Sequence, residues 1–423
     1  MTRLAPLAIF LVLVAACERA RPPGPPPTPA PTPAWLDETL GCVVRSTIEH
    51  ANASRSPIQV GFMAVDVGQR DVDRTITRRF VEAMVDAAVA TGPGGLRETP
   101  VAMFAAGAVA MAELGDLRAG RAMADRAVSG LDALPAEDRD YPRQRAIEVI
   151  AWSGDADRAR SLAADRPMDN LAMAIGMARA GDPAGARRVL ASMPSPAGGP
   201  DAEIAGYAAM AHVWAGDLPG ARALLDAERD PDRRAMMIVW IAEIAARSRH
   251  PDRDRFIDDA IAEVKPRALT ERDDAALAAT VWNELVRFRD QVGGSSAARI
   301  ELHDWMIGGQ PGTLRRDMVG LNVIRAELAG LPSEADRLLA ATMPPGTVRA
   351  GLDLAAARGQ FDRALDLLVE HRRERAPVRS QDGGLPSGVI DAIDAAEVGL
   401  WLWFADTPRD DLIVARFRSV VCR

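Results

Sequence analysis

A short turn signal, Gly followed by Asp, recurs along this chain of 423 residues with a fixed neighbourhood. It stands in "LGDLRAGRAMADRAV" from Leu114, "SGDADRARSLAADRP" from Ser153, "AGDPAGARRVL" from Ala180 and "AGDLPGARALLDAE" from Ala215. Aligned on the Gly, six positions form the series: Gly115, Gly154, Gly181, Gly216, Gly330 and Gly359. Five residues later stand Gly120, Ala159, Ala186, Ala221, Ala335 and Ala364, and four further on Ala124, Ala163, Leu190, Leu225, Leu339 and Leu368. A spacing of four puts each pair on one face of a helix, where the small residue admits a neighbouring backbone and the next fills the gap. Asp116, Asp155, Asp182 and Asp217 follow the Gly, placed to cap the helix that starts there. Pro183 and Pro219 fall in its first turn, where a missing N–H costs nothing.

Upstream of each Gly lies another helical pattern, as in "YPRQRAIEVIAWSG" and "AEIAGYAAMAHVWAG". Each unit therefore reads as helix, Gly turn, helix and then a break, often at Pro: Pro135, Pro167, Pro194, Pro231, Pro266, Pro344 and Pro377. Successive turn glycines are 39, 27 and 35 residues apart from Gly115 to Gly216, and 29 apart from Gly330 to Gly359. Three further hairpins are less regular, turning near Gly68, at His250–Pro251 and at Gly293–Gly294. Ala dominates the apolar residues, and aromatics are only 4% of the chain, which suits helices packed closely through small side chains. The expected fold is all-α: an α-solenoid of about nine antiparallel helical hairpins.

This pattern resembles the tetratricopeptide repeat, in which a Gly turn and a small residue five places on are characteristic. The resemblance spans residues 57–374 and is fullest over 101–134, where Phe104, Ala108 and Ala127 match further positions. Elsewhere the second helices are short, and the family's Trp–Leu–Gly–Tyr signature is missing, so no peptide-binding residue carries over from the resemblance.

The amino terminus reads as an address. After Arg3 comes an apolar run, Leu4 to Ala16, whose thirteen residues suit a signal peptide and are too few to span a bilayer. The run ends Val14-Ala15-Ala16-Cys17, which resembles a bacterial lipobox and implies lipidation of Cys17; ordinary cleavage after Ala16 is the alternative. Glu18, rather than Asp, after that Cys is compatible by the same analogy with outer-membrane sorting. Residues 18–34 carry eight prolines, a polyproline-II tether of roughly 50 Å. The expected organisation is a signal peptide (1–16), lipidated Cys and tether (17–34), helical array (35–387) and capping helices (388–423).

With Cys17 lipidated, Cys42 and Cys422 remain. In an oxidising compartment they either pair, bringing the ends of the array together, or stay as two separate thiols. The five His show no zinc spacing, "HPDRDRFIDD" from His250 lacks the Gly and Glu of a calcium loop, and no phosphate loop or nucleophile elbow occurs. No metal, cofactor or small-molecule substrate is implied. Trp282–Glu284 and Asp304–Trp305 come nearest to a glycan-cleaving pair, but Trp at inward helix positions is expected to pack. Trp152 and Trp214, each two before a turn Gly, are read as core. A net charge of −8 gives no support to nucleic-acid binding.

One surface feature repeats. Arg121, Arg160, Arg187 and Arg222 each stand six places after a turn Gly. They form either a ladder for an acidic partner or a set of salt bridges to nearby Asp and Glu. The chain is thus expected to be a non-enzymatic scaffold in the bacterial envelope, anchored by lipid, facing the periplasm and binding envelope proteins. An enzyme or regulatory arm acting on cell-wall glycan, or a purely structural lipoprotein, is the alternative.

Overall fold

The computed structural model describes residues 39–44, 74–90, 99–164, 166–193, 202–270, 275–293, 296–308, 313–342, 346–375 and 411–422. These are helices and turns, with no strand among them. The chain divides into two compact units, one formed by Met1–Leu114 with His303–Arg423 and the other by Gly115–Leu302. The sequence pattern does not announce this division, because it runs unbroken through Leu114 and Gly115. The hairpin of 101–134 contributes one helix to each unit. Cys17, the tether, the turn near Gly68 with the first half of its hairpin and the segment 376–410 lie outside the described residues.

The Gly115–Leu302 unit contains α3 (Leu117–Gly130), α4 (Asp140–Trp152), α5 (Ala156–Ala163), α6 (Pro167–Arg179), α7 (Pro183–Ser192), α8 (Ala202–Trp214), α9 (Leu218–Ala227), α10 (Pro231–Arg247), α11 (Arg253–Ala268) and α12 (Ala275–Gln291). Each of the first helices α4, α6, α8 and α10 packs on its own second helix and on the first helix of the next hairpin, and α10 on α12. The other unit holds α1 (Arg74–Ala90) against α2 (Thr99–Glu113). It also holds α14 (Thr313–Leu328), α15 (Pro332–Ala341), α16 (Gly346–Ala357), α17 (Phe361–Arg375) and α18 (Asp411–Val421), while α13 (Ser296–Gly308) crosses the boundary. There α14 packs on α15 and α16, and α17 on α16 and α18.

The repeated phrase is a chain reversal written in backbone terms. All six turn glycines have positive φ, between 70° and 90°. After Gly216, the Asp217 N–H reaches back to the His212 carbonyl (2.8 Å), and the Gly216 N–H to that of Val213 (2.9 Å). This pair of bonds closes a helix on a left-handed residue, and it recurs at Gly154, Gly181, Gly330 and Gly359. The four Asp then cap: their carboxylates accept the N–H three residues on, at Ala119, Arg158, Gly185 and Gly220. The small residue at +5 has no exposure at Ala159, Ala186, Ala221, Ala335 or Ala364. At +9 the pattern slips once: Leu338 is fully buried, and Leu339 half-buried.

Two expectations need correction. The turn between α10 and α11 is made at Arg249, not at His250–Pro251. Arg249 has φ 54°, and the same two bonds form, from His250 N–H to the Ala245 carbonyl (3.0 Å) and from Arg249 N–H to that of Ala246 (3.2 Å). The motif is intact with Arg in the glycine position. A side chain in this conformation costs about 1 kcal/mol. Arg249→Gly is therefore expected to stabilise the chain by about 0.5–1 kcal/mol, after the larger unfolded-state entropy of Gly is offset. A denaturant midpoint that fell instead would contradict the shared turn geometry. Second, Pro266 does not break a helix: α11 runs past it to Ala268. Sitting in the last turn, its ring disturbs only the helix end.

Candidate functional site

Counting back from the turn residue reveals a second register, on the first helices of the Gly115–Leu302 unit. Two places before the turn stand Trp152, Arg179, Trp214 and Arg247, on α4, α6, α8 and α10. Six before stand Glu148, Ile175, Met210 and Glu243; nine before, Arg145, Ala172, Tyr207 and Trp240. Offsets of 2, 6 and 9 fall along one helix face, so residues of four successive hairpins form rows.

The first row is a stack. The Arg179 guanidinium lies 3.4 Å from the Trp152 ring centroid and 4.8 Å from that of Trp214; Arg247 lies 5.6 Å from Trp214. Each such contact contributes between ~0.5 and ~2 kcal/mol, rising as water is excluded. Trp152 and Trp214 are half-buried, not core. The expectation of a core role fails because the cation supplies the packing partner that an aliphatic core would have supplied.

The stack is tied to the second row by Glu148. Its carboxylate accepts from Arg179 (3.1 Å) and Arg145 (2.8 Å), and the side chains of Glu148 and Arg179 are only 5% and 7% exposed. Arg145 on α4 reaches the Tyr207 hydroxyl on α8 (3.2 Å), and Ala172 holds the corresponding place on α6. Burial lowers the Arg145 pKa, but Tyr207, Glu148 and Tyr141 outweigh it, so Arg145 stays charged. Burial pushes the Tyr141 hydroxyl up to about 12. Tyr207 and Trp240 lie with centroids 6.2 Å apart. Glycine sets the helix spacing: a Cβ on Gly176 would fall on the Glu148 carbonyl oxygen and 2.7 Å from the Ala151 Cβ, and one on Gly206 would enter the Trp240 ring.

The four arginines at +6 are placed differently. Arg121 binds Asp125 (3.1 Å) and reaches the next turn, at Ser153 Oγ (3.0 Å) and Asp155 (2.7 Å). Arg187 donates to the Ala215 carbonyl (3.1 Å), also at the next turn, and Arg222 to Asp259 (3.1 Å). Arg160 pairs with Asp157 on its own helix and is 57% exposed. Three of the four thus fasten one hairpin to the next, Arg121 and Arg222 through salt bridges to Asp and Arg187 through a backbone carbonyl. The Asp partners of Arg121 and Arg222 are visible in the sequence, but the direction of reach is not. Compared with known proteins, the chain matches no family model and no curated sequence.

The residues weighed for glycan chemistry are engaged. Trp282 is 1% exposed, Glu284 is buried and pairs with Arg287 (2.8 Å), and Asp304 pairs with Arg337 (2.7 Å). Among the described residues, no group of His, Cys, Asp and Glu could hold a metal ion. His250 is buried, its Nδ1 accepting the Asp252 N–H (3.2 Å). His212 Nδ1 meets Asp217 (2.8 Å) beside the cap. Burial raises the Asp217 pKa, but the Gly220 N–H and His212 outweigh it and hold it below the usual value. A depressed carboxyl pKa stabilises above the unfolded value and is lost as pH falls through the folded one. Asp217→Ala should therefore cost about 1 kcal/mol at pH 7, with the gap to wild type closing below about pH 4. A gap constant from pH 7 to pH 3 would sink this assignment. Cys42 and Cys422 form a disulfide, with Cα atoms 5.0 Å apart.

Proposed function

We propose that the protein is a lipid-anchored scaffold of the bacterial envelope. Its hairpins stack as an α-solenoid of tetratricopeptide-like units, and the first-helix face of the Gly115–Leu302 unit receives a protein partner. The observation that carries this reading is the set of rows on α4, α6, α8 and α10. A purely structural helix pair would bury aliphatic side chains at these offsets. Here Trp152, Trp214, Tyr207 and Trp240 are half-buried beside Arg145, Arg179 and Arg247. Aromatic residues and Arg are the types enriched where proteins bind proteins, and a pre-ordered face loses little entropy on docking.

Location rests on the chain ends. The apolar run closing on Cys17 supports a lipidated, exported protein, and a Cys42–Cys422 disulfide agrees with an oxidising compartment such as the periplasm. No described helix is long and apolar enough to cross a membrane. Two experiments in the native host test the reading. Metabolic labelling with a fatty-acid probe should mark the wild type and not Cys17→Ala. Chemical crosslinking of intact cells should recover a protein partner. Clear binding to cell-wall glycan with no protein adduct would overturn the scaffold in favour of a glycan-directed role.

A further inference from the structure

Both ends of the described chain are short, and each is tied to the other. Residues 39–44 make a six-residue helical stretch, and α18 is an eleven-residue helix. Isolated helices shorter than ~12–15 residues are marginal in water, so each holds its form by docking. Among the described residues of α18, Val414 and Phe417 are buried and Leu412 is 76% exposed; at the other end Thr39, Val43 and Val44 are buried. Arg416 pairs with Asp362 (2.8 Å) and Asp366 on α17, but these groups are well exposed, and such pairs contribute little. The covalent tie is Cys42–Cys422, 380 residues apart in sequence, with Cys422 in an exposed turn at the end of α18.

We propose that Cys42–Cys422 is a reducible clasp: reduction by a protein dithiol frees α18 and residues 39–44 while the Gly115–Leu302 unit stays folded. A thiolate of the reductant attacks the exposed Cys422 sulfur, and Cys42 leaves as a thiolate and takes a proton. The reductant's second thiolate then attacks the mixed disulfide and releases Cys422, which is protonated in turn. Two electrons and two protons pass to the protein, and the reductant ends as a disulfide. The partner chemistry is that of a thioredoxin-like oxidoreductase, whose paired cysteines reach an exposed disulfide at a chain end. This inference does not depend on the scaffold reading. The clasp matters to any envelope protein held by its amino end, because opening it separates the anchored end from the carboxyl terminus.

Hydrogen exchange on the full chain tests it, with and without a dithiol (dithiothreitol, then a thioredoxin). Reduction should lower amide protection in 39–44 and 411–421 by about tenfold or more, leaving α4 to α10 unchanged. The Cys42→Ser/Cys422→Ser variant should show the reduced pattern and ignore the dithiol. Three results would overturn the proposal. One is a bond that neither dithiol reduces in the folded protein, and another is protection at both ends unchanged after reduction. The third is loss of protection in α4 to α10, which would make the bond a staple of the whole fold.

Discussion

Gly176→Ala should be the most destructive single-methyl change in the Gly115–Leu302 unit, lowering stability by about 3 kcal/mol. The added Cβ would meet the Glu148 carbonyl oxygen and the Ala151 Cβ, both on α4, so no side-chain rotation relieves it. Either α6 moves away from α4 or the chain bends. In ordinary helix interiors the same change is favourable by up to ~1 kcal/mol, so the sign alone is diagnostic. Gly308 is the control, since a Cβ there meets nothing within 4 Å. Urea midpoints of the two variants decide the matter: a Gly176→Ala protein as stable as wild type would contradict the close approach of α4 and α6.

The second large effect concerns the charges beneath the tryptophans. Arg179→Met removes a guanidinium that is stacked between two indoles and paired with a buried carboxylate. Breaking a buried pair costs about 3–5 kcal/mol, because the surviving charge stays uncompensated. Here Arg145 still serves Glu148, so the lower end, about 3 kcal/mol, is expected. Glu148→Leu alone should cost a similar amount, by leaving Arg179 with less compensation. The double variant should recover part of the sum, since it removes both charges of this pair but leaves Arg145 without Glu148. A double-mutant cycle measures the coupling directly. Additive losses would mean that Glu148 and Arg179 act independently, and would remove the tie between the first two rows. Trp fluorescence gives a second readout, as Arg179→Met removes the cation from Trp152 and leaves Trp214 with Arg247 alone.

What could be foreseen divides along a physical line. The hairpins were legible because each depends on a local requirement: a left-handed residue at Gly216, a capping oxygen at Asp217 and a small side chain at Ala221. Those needs are met within ten residues and leave a fixed phrase. The rows on the first helices depend on register between hairpins, which no single phrase encodes. Trp152 and Trp214 share an offset from Gly, but Arg179 and Arg247 complete the alternation, and Arg247 joins the row only because Arg249 occupies the turn. The Arg145–Tyr207 bond illustrates the same limit, since it joins residues 62 apart in sequence. The division at Leu114 and Gly115 left no trace in the pattern, because the same turn phrase lies across it. Three Cys restricted the pairing of Cys42 and Cys422 without deciding it, since pairing depends on where α18 returns in space.

The arginines at +6 show how a repeated residue can mislead. A ladder of like charges suggests a partner, yet Arg121 and Arg187 point along the array to the next turn, where Ser153 and Ala215 receive them. Repetition there follows from a repeated internal contact. The first-helix rows differ, because their aromatic side chains are half-buried and the residue types change from hairpin to hairpin.

Site-specific photo-crosslinking in the native host tests that contrast most directly. A photoreactive residue is placed at Met210 or Met236, on the first helices α8 and α10, and in parallel at Arg188 or Arg255, exposed on the second helices α7 and α11. Adducts to a discrete protein from Met210 and Met236, and none from Arg188 and Arg255, are the predicted result. Adducts confined to the second helices, or none from either set in cells where the protein is functional, would contradict a first-helix binding face.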